Sequence, residues 1–321
     1  MTTLTLVLCT CLAVTSACRT NRLKGEGMQT TSPVITPSGS EPHRFEYVIE
    51  SGRELGSGIH ETETRLRVDY DKNEAFLERH QPLSDEGGEA LGTFRTELPA
   101  DARDELLKGC AAVHLSSLPV GKSGGPGVSQ IRLVEVSGAR ISKAEFSARD
   151  VPIIERADPI LSVGNSLIGA LGEHPFQAIR IKVRRLAEHS GGDTFEIDIE
   201  NAGTQNVVVP DPHRLAALGT GEGSQGLGVR IAEYPAERPG YTAPPLVWSW
   251  LPVAPSKTDA PLVSIAPGGR VAAVTVPWVS RKHAMRHLVQ AVYAFYGEPV
   301  MLDGHLVIRG RALSEALEVT P

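Results

Sequence analysis

Ser123 lies in Gly121-Lys122-Ser123-Gly124-Gly125, the G-x-S-x-G spacing of a nucleophile elbow. That chemistry needs a strand, a sharp turn and a helix directly after the serine. Gly124-Gly125-Pro126-Gly127 follows instead and opposes a helix start, so a loop is expected. Gly221-Glu222-Gly223-Ser224-Gln225-Gly226 matches G-x-G-x-x-G by letter. A dinucleotide site also needs a helix after the glycines and a βαβ unit. Gly228-Val229-Arg230-Ile231 reads as a strand, so a surface loop is expected here too. His283 and His287 are four apart, and on a helix they would share one face and could hold a metal. Ala284 replaces the glutamate of H-E-x-x-H, and Arg281, Lys282 and Arg286 make the segment basic. A solvated inter-strand loop is expected, and no metal or other cofactor is implied. Acids gather at Asp69, Asp71 and Glu74 and again at Asp85, Glu86 and Glu89, without EF-hand spacing. No residue is singled out as catalytic.

Trp248 and Trp250 point to one face if their segment is a strand. They are either sandwich core or an exposed aromatic binding surface. Eight of the aromatics, from Tyr234 to Tyr296, fall in the second half of the chain.

Cys9, Cys11, Cys18 and Cys110 are the cysteines. Residues 1–18 contain no charged side chain, and residues 4–17 form an apolar and small-residue run too short to span a bilayer comfortably. The run ends Val14-Thr15-Ser16-Ala17-Cys18 and resembles a bacterial lipoprotein signal, in which the cysteine is lipidated and becomes the new N-terminus. The resemblance implies export and lipidation at Cys18, with the membrane as a partner. A plain secretory signal cleaved after Ala17, or a mis-assigned start codon, are the alternatives. Cys110 is expected to be a small buried residue near a helix end. Residues 19–42 are polar, with Thr, Ser, Pro and Gly, and read as a disordered tether. Arg19, Arg22 and Lys24 outnumber Glu26 and Glu41 there, which suits a segment beside a membrane surface.

The elements that would position any site come next. The chain has 321 residues, 41% hydrophobic and 22% charged, as in a folded protein, and its net charge of −6 argues against a nucleic-acid partner. In residues 43–187, Phe45, Tyr47 and Ile49 alternate with polar residues, and a glycine-containing loop over residues 51–58 follows. Residues 60–70 form a long strand, with two more strands before Pro99 opens a helix. A hairpin turns at Ser137-Gly138, and Ile160 to Leu171 make an amphipathic helix ending near Gly172. Ile179, Ile181 and Val183 then alternate with Arg180, Lys182 and Arg184 as a closing strand with one basic face. Four strands, helix, two strands, helix and strand describe an α+β domain. Residues 188–321 hold seven or eight short strands separated by Pro- and Gly-rich turns, which describes an antiparallel β-sandwich.

FEYVIESGRELGSG, LPADARDELL, IRLVEVSGARISKAEFSA and ILSVGNSLIGALG resemble the emfourin-type inhibitors of bacterial metallopeptidases. FEIDIENAG, SIAPGGRVAAVTVPW and LVQAVYAFYG resemble immunoglobulin-like domains of bacterial exported proteins. The N-x-G turn and LVWSW are similar to proteinase inhibitors of the BsuPI type. The expected protein is mainly β: signal (1–18), tether (19–42), α+β domain (43–187) and immunoglobulin-like β-sandwich (188–321). Its expected function is non-catalytic: binding an as yet unidentified protein partner in the cell envelope, with peptidase inhibition as the specific version implied by resemblance. An envelope hydrolase assembled from sequence-distant residues, or a purely structural envelope module, are the alternatives.

Overall fold

A computed structural model describes residues 42–55, 58–81, 86–121, 128–186, 192–216, 226–235, 248–254, 261–279, 285–296, 301–302 and 305–319. Cys18, the tether, Asp85, His283 and most of both glycine-rich motifs lie outside these residues. Strands β1 (Arg44–Leu55) and β2 (Gly58–Asp69) form one long hairpin. The expected loop over residues 51–58 is therefore mostly strand: pairing of Ser51 with Thr62 and of Arg53 with His60 carries the ladder through a polar stretch. β3 (Glu74–Arg79) and β4 (Leu91–Glu97) lead to α1 (Ala100–Val113). Pro99 precedes that helix, Asp101 sits in its first turn, and His114 closes it in a left-handed conformation. A short 3-10 turn, Leu115–Ser117, leads towards β5 (Gln130–Ser137) and β6 (Arg140–Ser147).

α2 (Val151–Leu171) begins nine residues before the expected start. Pro152 falls in the first turn, where a missing N–H costs nothing, and the helix absorbs Pro159. Burial of Ala157, Ile160 and Leu161 offsets that interruption. β7 (Pro175–Arg185), β8 (Phe195–Asn201), β9 (Val207–Pro210) and a short α3 (Pro212–Ala216) follow. The remaining strands are β10 (Gly226–Pro235), β11 (Trp248–Pro252), β12 (Leu262–Ile265), β13 (Arg270–Val274) and β14 (Met285–Phe295). Four short ones end the chain: β15 (Met301–Leu302), β16 (His305–Leu306), β17 (Gly310–Leu313) and β18 (Leu317–Val319).

The molecule is mainly β, with antiparallel sheets and few helices, and the α+β-then-sandwich-like arrangement is present. One nine-stranded sheet runs β13-β8-β7-β4-β3-β2-β1-β5-β6. A second sheet contains β11-β10-β14-β17, with β18 also paired to β14. β7 pairs with both β4 and β8, so it is central rather than closing, and the large sheet takes strands from both sides of the expected boundary. The described residues belong to one compact unit, Ser40–Pro321.

Two hydrophobic cores sit on opposite faces of the large sheet, offset along it. Phe45, Leu66, Leu77 and Phe94 meet the helices through Leu106 and Ile160. Ile181, Ile197 and Ile199 meet the second sheet through Val229, Val289 and Tyr293. The chain changes cores between Ala178 and Ile179, because adjacent strand residues face opposite ways. Each core leaves the sheet's other face to charged side chains. The basic face of β7 meets acids of β8: Lys182–Glu200 at 2.7 Å, and Arg184 with Glu196. Arg270 of β13 adds a contact to Asp198 at 2.9 Å. At the other end, Glu46 accepts from Arg67 at 3.2 Å, and Arg132 lies 3.1 Å from Glu50. Among the described residues, no helix is long and apolar enough to cross a membrane.

Cys110 is buried on the inner face of α1, as expected for a packing residue. Burial, reinforced by the Glu135 carboxylate, pushes its thiol up to about 12. The folded state therefore holds this proton where the unfolded chain, with an ordinary thiol near about 8.5, releases it. Stability is full below the unfolded value and falls as pH rises towards the folded one. Urea midpoints measured at about pH 8 and about pH 10.5 should show a drop at the higher pH. Cys110→Ala should make the drop smaller; an unchanged slope would remove this thiol from the account.

Candidate functional site

In β10, Val229 and Ile231 face the second core, so the intervening Arg230 faces outward. In β14, Val289 and Ala291 do the same and turn Gln290 outward. In β11, Leu251 faces the core, which places Trp248 and Trp250 on the outer face with Arg230 and Gln290. Register completes the cluster: Arg230 lies opposite Trp250 on one side and Gln290 on the other, and Ala232 opposite Trp248. Both indoles are half-buried and lie outside the second core.

Arg230 itself is buried. Its guanidinium carbon lies 4.2 Å from the centroid of the Trp248 ring. Nε donates to Gln290 Oε1 at 2.8 Å, and Nη2 donates to the same oxygen. Gln290 is fixed in turn, because Nε2 donates to Ser314 O at 2.7 Å and to Glu86 O at 3.1 Å. Ser314 Oγ accepts from Ala291 N at 2.9 Å and donates to Glu315 O at 2.8 Å. A desolvated guanidinium needs such partners, and the ring face supplies an attraction of about 0.5–2 kcal/mol. The result is a rigid aromatic ledge backed by a fixed cation. It can stack on flat or apolar groups of a partner, but the ledge carries no nucleophile–base pair.

The other candidate residues are dispersed. His287 lies in β14 rather than in a solvated loop, and it is buried. Its ring meets Trp278 edge-on at 4.8 Å, and Nε2 lies 3.9 Å from Glu233 Oε1. The helical spacing argument does not apply at His287, which lies in a strand, and His283 lies outside the described residues. Among the described residues, no group of three or more His, Cys, Asp or Glu side chains is placed to hold a metal. The first acid cluster serves turns and neighbours: Asp69 accepts from Lys72 N at 3.0 Å, Asp71 meets His43 at 3.0 Å, and Glu74 meets Arg95.

The meeting of Arg230, Gln290, Ser314 and the Glu86 carbonyl was not anticipated. The outward parity of Arg230 within Gly228-Val229-Arg230-Ile231 was available from the sequence, but nothing there shows which ring it stacks on. No protein-family model and no curated protein matches this chain.

Proposed function

We propose that this chain is an exported, lipid-anchored, non-catalytic protein of the cell envelope that binds a protein partner through the Trp248–Trp250 ledge. The observation that carries the reading is the outward placement of both indoles with Arg230 fixed behind one of them. Trp and Arg dominate the energetics of protein interfaces, and pre-ordered side chains lose little entropy on binding. The apolar run ending at Cys18 supports export and anchoring. Peptidase inhibition is the specific version, supported by the resemblance of both halves to inhibitor types. Inhibition of a panel of secreted metallo- and serine peptidases by micromolar protein tests it, and no effect on any would sink that version.

Two measurements test the general reading. Metabolic fatty-acid label should enter the wild-type chain and not Cys18→Ala; a wild type without label refutes the anchor. Capture of an envelope partner should weaken about tenfold or more in Trp248→Ala and in Trp250→Ala, a loss of about 1.4 kcal/mol or more. Undiminished capture by both variants would remove the ledge from the interface.

A further inference from the structure

Sheet edges expose backbone groups that invite pairing, and proteins usually cover or charge them. Most edges here are managed in this way. On β6, Glu145 N donates to Pro119 O at 2.9 Å, and Arg140 and Lys143 are exposed. On β13, Val274 O accepts from Ala254 N at 2.8 Å, and Arg270 is exposed. On β17, Arg311 N donates to His80 O at 2.9 Å, and Leu313 O accepts from Gly88 N at 2.8 Å.

β11 differs. Pro252 O accepts from Val276 N at 3.0 Å, so the carbonyl of Pro252 points away from β10. Alternation along the strand turns the N–H and C=O of Trp250 and Trp248 the same way. The chain after Val276 does not follow that edge, because Trp278 exchanges 2.7 Å backbone hydrogen bonds with Asp193. Among the described residues, nothing hydrogen-bonds the backbone of Trp248 or Trp250 on that side. No charge guards the strand, whose sequence is Trp-Ser-Trp-Leu-Pro.

We propose that a second copy of this chain occupies this edge, β11 pairing antiparallel with β11 of its partner across a two-fold axis. The inference rests on the reading of Trp248 and Trp250 as a binding surface and names what binds there. Trp-Ser-Trp is palindromic, as an isologous contact favours. Centred on Ser249, the pairing sets each Trp248 opposite a Trp250, with outward backbone groups facing each other. Two cross-strand indole pairs then stack on the outer face, and Ser249 faces Ser249. No like charges oppose each other within this neutral strand, whereas self-pairing of β6 would gather the exposed Arg140 and Lys143 of both copies along one seam. Each Trp side chain offers roughly 150–250 Å², and here it is already half-buried. The contact is thus smaller than the roughly 1,200 Å² of stable complexes, and dimerisation in the micromolar range is expected.

Analytical ultracentrifugation of the purified full chain across that range tests the proposal. Ser249 is exposed, so charging it should leave the fold intact. Ser249→Lys alone and Ser249→Glu alone should each raise the dimer dissociation constant tenfold or more, and an equimolar mixture of the two should restore dimer. A dimer that persists unchanged in both single variants overturns the proposal. So does a wild type that stays monomeric throughout: if Trp248→Ala still weakens capture of an envelope partner, only the self-pairing fails; if capture is also unaffected, the ledge reading fails with it.

Discussion

Asn201→Ala is expected to cost about 3–5 kcal/mol of unfolding free energy. The side chain is buried at the end of β8, where three hydrogen bonds converge on it. Oδ1 accepts from Gly203 N at 2.8 Å, which builds the turn between β8 and β9. Nδ2 donates to Gln205 O at 2.8 Å and to Ile265 O at 2.7 Å, tying that turn to the end of β12. The backbone adds a second tie, with Asn201 N donating to Gly269 O at 2.9 Å. Alanine would remove the side-chain partner of two carbonyls and one N–H around a buried position. Asn201→Asp should be comparably harmful: it keeps the acceptor for Gly203 but sets an oxygen against two carbonyl oxygens. Urea unfolding measures both, and a loss below about 1 kcal/mol in each would show that the turns hold without this side chain.

Gly310→Ala should cost about 2–4 kcal/mol and loosen the attachment of the segment after β3 to the second sheet. Gly310 has φ +114°, a conformation that L side chains rarely adopt, and a Cβ there would overlap the carbonyl of His80. That carbonyl accepts from Arg311 N, so relieving the overlap would also lengthen a hydrogen bond. Gly88 N to Leu313 O and Gln290 Nε2 to Glu86 O complete the same attachment. Amide exchange at Arg311 and Gly88 should quicken well beyond any change in β1 and β2. Equal acceleration across the molecule would mean that Gly310 acts on global stability alone. Because Gln290 also holds Arg230, the substitution should leave the Trp248 ring less ordered, which acrylamide quenching of tryptophan fluorescence can read.

Much of this architecture was legible along the chain. Alternation at Phe45, Tyr47 and Ile49, at Leu66, Val68 and Tyr70, and at Ile179 and Ile181 identified strands and the side that is buried. The order of four strands, helix, two strands, helix and strand followed from that pattern and from Pro99 and Gly172. Residues 51–55, Ser-Gly-Arg-Glu-Leu, gave no such signal, and only the partner strand makes them β. The early start of α2 was hidden for the opposite reason: Pro152 and Pro159 are local breakers that core packing overrules.

The candidate site divides along the same line. A shared face for Trp248 and Trp250 follows from strand periodicity alone, since residues two apart on a strand point the same way. Periodicity is a local property, and it cannot say what lies on either side of a sheet. Whether that face was core or surface depended on Leu251 pointing into the second core and on β10 lying beside β11. Residues 86, 230, 290 and 314 meet because strands distant in sequence became neighbours, a consequence of pairing free energy summed over the whole fold. Among the described residues, the edge at Trp248–Trp250 lacks a backbone partner for the same reason: Trp278 pairs with Asp193 instead. Residue types and their alternation thus fixed which elements form and which way each faces, and tertiary pairing decided what those faces and edges meet.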